Sequence, residues 1–260
     1  MSLQLQEIVN SLILSAPSTE LPDVIKSLKK ILSTDITNSI IENSINEYLT
    51  KTSIIIDGYI INADNKDSDS SKFIDYIRNE KFNFDLINQK IIDVESYENE
   101  LNVPKDLVSK LEQYGNDYYI NFNITIIPIN EDAYKIILIG EKQNHENFYT
   151  GIWTSEYEIS SNEVEGKINL DIHYFEDGNV RLKFDEKTTD KLKSNTSSSI
   201  VNFINNFENQ IENQIISSFV NLNQNSFKNL RRLLPVTRSK LNWGSAIGNY
   251  RLGSDVVHKK

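Results

Sequence analysis

His173, Glu176 and Asp177 fall within one short stretch, and an imidazole beside two carboxylates is the raw material of general acid–base catalysis. The surrounding pattern assigns them to another task. Ile168, Leu170, Ile172 and Tyr174 alternate with Asn169, Asp171 and His173, so neighbouring side chains leave opposite faces of a strand. Glu176-Asp177-Gly178-Asn179 then turns the chain, with glycine and asparagine supplying the positive φ angles of a tight turn. The acids are therefore read as turn neighbours and the histidine as a strand residue. His145 and His258 are remote in sequence, and the cysteine count is zero. That removes thiolate nucleophiles, disulfides and cysteine zinc sites together, and fits a reducing compartment. No glycine-rich phosphate loop, metal-ligand spacing or nucleophile elbow is present. The sequence predicts a protein that works by binding, with no catalytic residue, no metal and no cofactor.

The residues best suited to binding lie at the C-terminal end. From Phe227 to Lys260 there are eight basic residues (Lys228, Arg231, Arg232, Arg238, Lys240, Arg251, Lys259, Lys260) and one acid, Asp255, net +7. The remainder, 1–226, holds 19 basic and 36 acidic residues, net −17. An acidic body with a basic tail points to an anionic partner for the tail. Phe227, Leu230 and Leu234 share a helical face, and Trp243, Ala246, Ile247 and Tyr250 repeat that spacing further on. Apolar groups gain by leaving water while cations pair with acids on the target, a design for a partner protein or a membrane surface. The same pattern also fits a terminal helix docked on its own domain with a solvated basic face. Charge alone would also admit a nucleic acid, but the acidic body repels a polyanion and no recognition motif is present.

The rest of the chain must carry this tail. Leu5, Ile8, Val9, Leu12 and Ile13 predict one amphipathic helix, stopped by Pro17. Val24, Ile25, Leu28, Ile31 and Leu32 predict a second, and Ile36, Ile40, Ile41, Tyr48 and Leu49 a third. None is long enough to stand alone in water, so 1–52 is expected to be a three-helix bundle. Residues 53–116 read as an irregular region: a strand or hairpin over Ile54–Ile61, mixed signals over Phe82–Ser96, and a helix from Pro104 to Gln113. Period-two alternation over 117–186 predicts an antiparallel sheet, with strands at Ile120–Ile126, Tyr134–Gly140, Gly151–Ile159, Ile168–Tyr174 and Val180–Phe184. Ile200, Ile204, Phe207, Ile211, Ile215, Phe219 and Leu222 then make a long apolar stripe within 187–226, predicting a helix laid over the sheet and toward a partner. The fold class is α+β, closed by the basic amphipathic segment 227–260. No apolar run reaches the roughly eighteen residues of a membrane span, and the amino terminus lacks the pattern of a signal peptide.

Two segments carry a resemblance. Phe227-Lys228-Asn229-Leu230-Arg231-Arg232-Leu233-Leu234-Pro235-Val236-Thr237-Arg238 closely resembles the C-terminal signature of actin-capping protein alpha subunits. His173-Tyr174-Phe175-Glu176-Asp177-Gly178-Asn179-Val180 resembles the family's second signature, and Gly151-Ile152-Trp153-Thr154-Ser155-Glu156-Tyr157 is a weaker echo. The segment order matches over essentially the whole chain, with 54–115 divergent. The resemblance implies an obligate heterodimer with a beta subunit, its two sheets side by side, that caps the barbed end of actin filaments without calcium or nucleotide. It implies a cytoplasmic place in cortical actin structures and control by capping regulators. It implies actin contacts from a C-terminal tentacle: Lys228, Arg231, Arg232, Arg238, Lys240, Trp243, Ile247, Tyr250 and Arg251. Phosphoinositides would compete at Lys228, Arg232 and Arg238. Gly244 and Gly248 depart from the helix-forming pattern of that tentacle, each at about 1 kcal/mol. The alternative function is a phosphoinositide- or membrane-surface scaffold using the same basic helix.

Overall fold

The computed structural model describes residues 3–16, 20–32, 34–99, 101–131, 133–144, 149–174, 180–192 and 194–222. The chain divides into two compact units, Met1–Phe203 and Ile204–Lys260. The first opens with three helices, α1 (Leu3–Ser15), α2 (Leu21–Ile31) and α3 (Thr34–Lys51). In α2, Asp23 sits in the first turn and Lys29 and Lys30 in the last, each placed to complement the helix dipole. Tyr48 Oη donates to the Ala16 carbonyl at 2.9 Å, tying α3 to the end of α1. The helices do not close a core of their own. Val9, Ile13, Ile25 and Ile41 share one buried cluster with Ile54, Ile61, Phe73 and Phe82 from the strands that follow. The α1 stripe is wider than what it buries: Val9 and Ile13 are covered, whereas Ile8 and Leu12 are 56% and 47% exposed.

The region that reads as irregular is a run of short antiparallel strands. β1 (Ile54–Ile56) and β2 (Tyr59–Ile61) form a hairpin closed by Asp57 and Gly58, both at positive φ (50° and 78°), the geometry of a type I′ turn. β3 (Phe73–Asp75), β4 (Glu80–Asp85) and β5 (Lys90–Ser96) make a three-stranded sheet. A register shift between Lys81 and Asn83 breaks its alternation, which is why Phe82–Ser96 gives mixed signals as sequence. α4 runs from Lys105 to Tyr118 with Pro104 at its N-cap, longer than the helix expected from Pro104 to Gln113.

The main sheet has five antiparallel strands in sequence order: β6 (Phe122–Asn130), β7 (Ala133–Asn144), β8 (Tyr149–Ser160), β9 (Glu163–Tyr174) and β10 (Val180–Lys191). Each of the last four is longer than its apolar alternation implies, and β10 runs past the sheet boundary expected at 186. On one face Ile136, Trp153, Tyr157, Ile168 and Leu170 are fully buried or nearly so. On the opposite face Ile127, Ile137 and Ile139 pack with Ile60 of β2, covering the β6–β7 side. α5 (Ser197–Asn221) is the long helix expected from its stripe. At its start Phe203 meets the Tyr157 ring edge-on at 6.2 Å between centroids. Along the second unit Ile204, Phe207, Ile211, Ile215 and Phe219 form one buried face.

Candidate partner-binding surface

The tail residues Lys228, Arg231, Arg232, Arg238, Lys240, Trp243, Ile247, Tyr250 and Arg251 lie outside the described residues, as does the turn expected over Glu176–Asn179. What the structure places is the strand pair on either side of that turn. β9 and β10 pair in unbroken register from Tyr174–Val180 to Glu163–Lys191. Because β10 ends the sheet, its main-chain donors and acceptors on the side away from β9 have no ladder partner among the described residues. None of its side chains from Arg181 to Lys191 is fully buried: Leu182, Phe184, Glu186 and Thr188 are half covered, while Arg181, Lys183, Asp185 and Lys187 are exposed on the opposite face.

That opposite face is charged. Across β9–β10, Arg181 stands opposite His173, Lys183 opposite Asp171, Asp185 opposite Asn169, and Lys187 opposite Lys167. Two like charges facing each other in this way repel. Glu156, the neighbour of Lys167 on β8, bonds Lys135 instead at 3.1 Å, and Lys135 also holds Asp64. Burial works against the Lys135 ammonium, yet the Asp64 and Glu156 carboxylates outweigh it and hold its pKa above the ordinary lysine value. Among the described residues, Lys167, Lys183 and Lys187 have no ion-pair partner. Arg181 does, through Glu20 at the N-cap of α2, 2.6 Å away. A cleft of about 630 Å³ opens between the ends of α1 and α3 and this face, lined by Tyr48 and by both signs of charge, Lys51, Lys167, Lys183 and Lys187 with Asp171, Asp185 and Glu186. Burial, and then the Asp171 carboxylate, push the Tyr48 phenol well above the ordinary tyrosine range, so it stays a neutral donor.

His173 lies on the same charged face, beside a smaller cavity of about 330 Å³ shared with Glu20, Glu141, Asp171 and Arg181. No group of three or more metal-ligating side chains is found among the described residues. Trp153 and Tyr157 are fully buried, as core aromatics should be. The Lys142 ammonium lies 4.1 Å from the Trp153 ring centroid and 4.6 Å from that of Tyr119, a stacked cation. The sequence reading missed the three lysines as a group. Alternation in Arg181, Lys183 and Lys187 was available to find two of them, but Lys167 joins them only through strand register.

The chain is similar to known proteins over its full length. The family profile of the F-actin capping protein alpha subunit matches residues 9–255. The F-actin-capping protein subunit alpha of Candida albicans is 55% identical over 280 residues, covering 100% of both chains. That of Debaryomyces hansenii is 50% identical, covering 100% of this chain and 99% of the relative. Among solved structures, a homodimeric actin capping protein alpha subunit from Plasmodium berghei superposes with a TM-score of 0.73 at 21% identity, covering 91% of this chain and 99% of that one. At that identity the likeness speaks for the fold. The family match and the full-length relatives agree with both signature segments read from the sequence, and this chain belongs to the F-actin capping protein alpha subunit family.

Proposed function

We propose that this chain is the alpha half of a heterodimer that binds the barbed end of actin filaments, independently of calcium, and blocks both addition and loss of subunits. The observation that carries the reading is the extent of the match. It runs from residue 9 to residue 255, so the basic segment lies inside the region shared with subunits named for capping F-actin. Binding rather than catalysis is the work of that family. A beta subunit is the partner implied by the word subunit in those names, and two surfaces suit it. One is the β10 edge, whose main chain, without a ladder partner among the described residues, offers a template for a further strand. The other is the exposed apolar set Ile8, Leu12 and Ile31 on α1 and α2. In the assembled complex, Lys228, Arg231, Arg232, Arg238 and Lys240 meet acidic actin surface, with Trp243, Ile247, Tyr250 and Arg251 extending the contact. Phosphoinositides compete at Lys228, Arg232 and Arg238, and capping regulators act on the same complex, which works at cytoplasmic, cortical actin.

Dilution-induced depolymerisation tests the reading. Filaments diluted below the critical concentration should shorten more slowly when the heterodimer is present, with calcium or with a chelator. Charge-assisted contacts contribute about 1.5–3 kcal/mol each when desolvated, so neutralising Lys228, Arg232 and Arg238 together should weaken protection on the order of 10³-fold. A folded heterodimer that leaves shortening unchanged would refute the proposal.

A further inference from the structure

The charge pattern of β10 bears on which partner its edge accepts, and the inference rests on the reading that this edge pairs with another subunit. A second copy of the chain could add to β10 only as an antiparallel strand related by a two-fold axis perpendicular to the sheet. Residues facing each other then lie on the same face and are equidistant from the axis. With Lys183 on the axis, that lysine faces itself, although Arg181 then faces Asp185 twice. With Phe184 there, Arg181 faces Lys187 twice. With Asp185 there, Lys183 faces Lys187 twice and the two aspartates meet. With Glu186 there, the two glutamates meet and Arg181 faces Lys191, although Asp185 faces Lys187 twice. With Lys187 there, it faces itself and Lys183 faces Lys191. Every central register opposes like charges, and Lys187 already stands opposite Lys167 within the chain.

We propose that Lys183 and Lys187, backed by Lys167, are specificity-determining residues: they exclude a second copy from the β10 edge and select a partner strand that carries carboxylates opposite them. Charge complementarity argues for this occupant. The three ammonium groups have no ion-pair partner among the described residues, and the cleft of about 630 Å³ that they line together with Asp171, Asp185 and Glu186 has room for further side chains. Of the five registers, the one centred on Phe184 is the one in which Lys187 meets Arg181. It stacks the two phenylalanines and pairs Lys183 with Asp185 twice, and only the Arg181–Lys187 opposition spoils it on the charged face. Lys187→Glu therefore removes the obstacle: the new carboxylate faces Arg181 across the axis and Lys167 within the sheet.

The test co-expresses a tagged and an untagged copy of the full chain together with the beta subunit and reads what the tag captures by native mass spectrometry. The wild-type chain should capture the beta subunit and essentially no second copy. Lys187→Glu should capture a second copy in a discrete two-chain species, about tenfold or more above wild type, and correspondingly less beta subunit. Lys187→Gln, which removes the repulsion without adding attraction, should fall between. A Lys187→Glu chain that folds, captures the beta subunit as wild type does and gains no second copy would overturn the proposal. Wild type failing to capture the beta subunit is a separate result: it defeats the pairing reading, while the self-capture arm still decides the role of Lys187.

Discussion

Tyr48 shows how one side chain ties the N-terminal helices together and to conditions. Its hydroxyl donates to the Ala16 carbonyl, and burial, then Asp171, raise its pKa. Tyr59, held by the Glu80 carboxylate, and Tyr76 and Tyr134, through burial, are raised as well. A tyrosine raised in the folded state contributes no pH dependence below the unfolded value of about 10. Above it the unfolded chain loses protons that the folded chain keeps, so stability falls as pH rises toward the folded pKa values. Urea unfolding of the complex should be flat from pH 8 to 9 and weaken beyond about pH 10. Tyr48→Phe should cost about 1 kcal/mol at neutral pH and reduce the alkaline slope. An unchanged slope would mean that Tyr48 does not carry it. Gly115 offers a second test at this scale. Replacing a helix glycine by alanine normally stabilises by about 1 kcal/mol, but a Cβ here would overlap the Phe122 ring. Gly115→Ala should therefore destabilise by about 1–3 kcal/mol, read as a lower urea midpoint.

The elements differ in how plainly the sequence announces them. The β9–β10 pair was legible because its alternation is unbroken and its turn residues are specific, and α5 because its stripe holds one face without proline or glycine. The small sheet was not, since three-residue strands and the shift at Lys81/Asn83 leave no period to read. The lysine cluster was half legible: alternation gives a face, but opposition of Lys167 and Lys187 is a property of register. The tail was legible in charge and motif and lies outside the described residues. Energetics separate the elements too. Phe82 is fully buried, its ring 4.7 Å from Tyr59 and 6.3 Å from Phe73. Phe82→Ala should cost about 3–5 kcal/mol, because it opens a cavity in the core shared by helices and strands. The exposed Glu20–Arg181 pair is expected to matter far less. Glu20→Ala should leave the urea midpoint essentially unchanged, since water screens both partners.

At the scale of the whole molecule, the chain combines an acidic body, a sheet edge and lysines without partners among the described residues, uncovered apolar side chains on α1 and α2, and a basic segment inside the family match. Under the proposed heterodimer, a protein so built is incomplete by itself. Expressed without a partner it should aggregate or form heterogeneous species on size-exclusion chromatography, and a stable monodisperse monomer would count against obligate pairing. The central claim is narrower and more direct, that the paired chain stops growth at one end of the actin filament. Elongation of pyrene-labelled actin from filament seeds, with this chain co-expressed with its beta subunit, measures it. The account predicts inhibition of barbed-end growth at amounts far below the actin present, with or without calcium. Full-rate elongation in the presence of a folded heterodimer would contradict it.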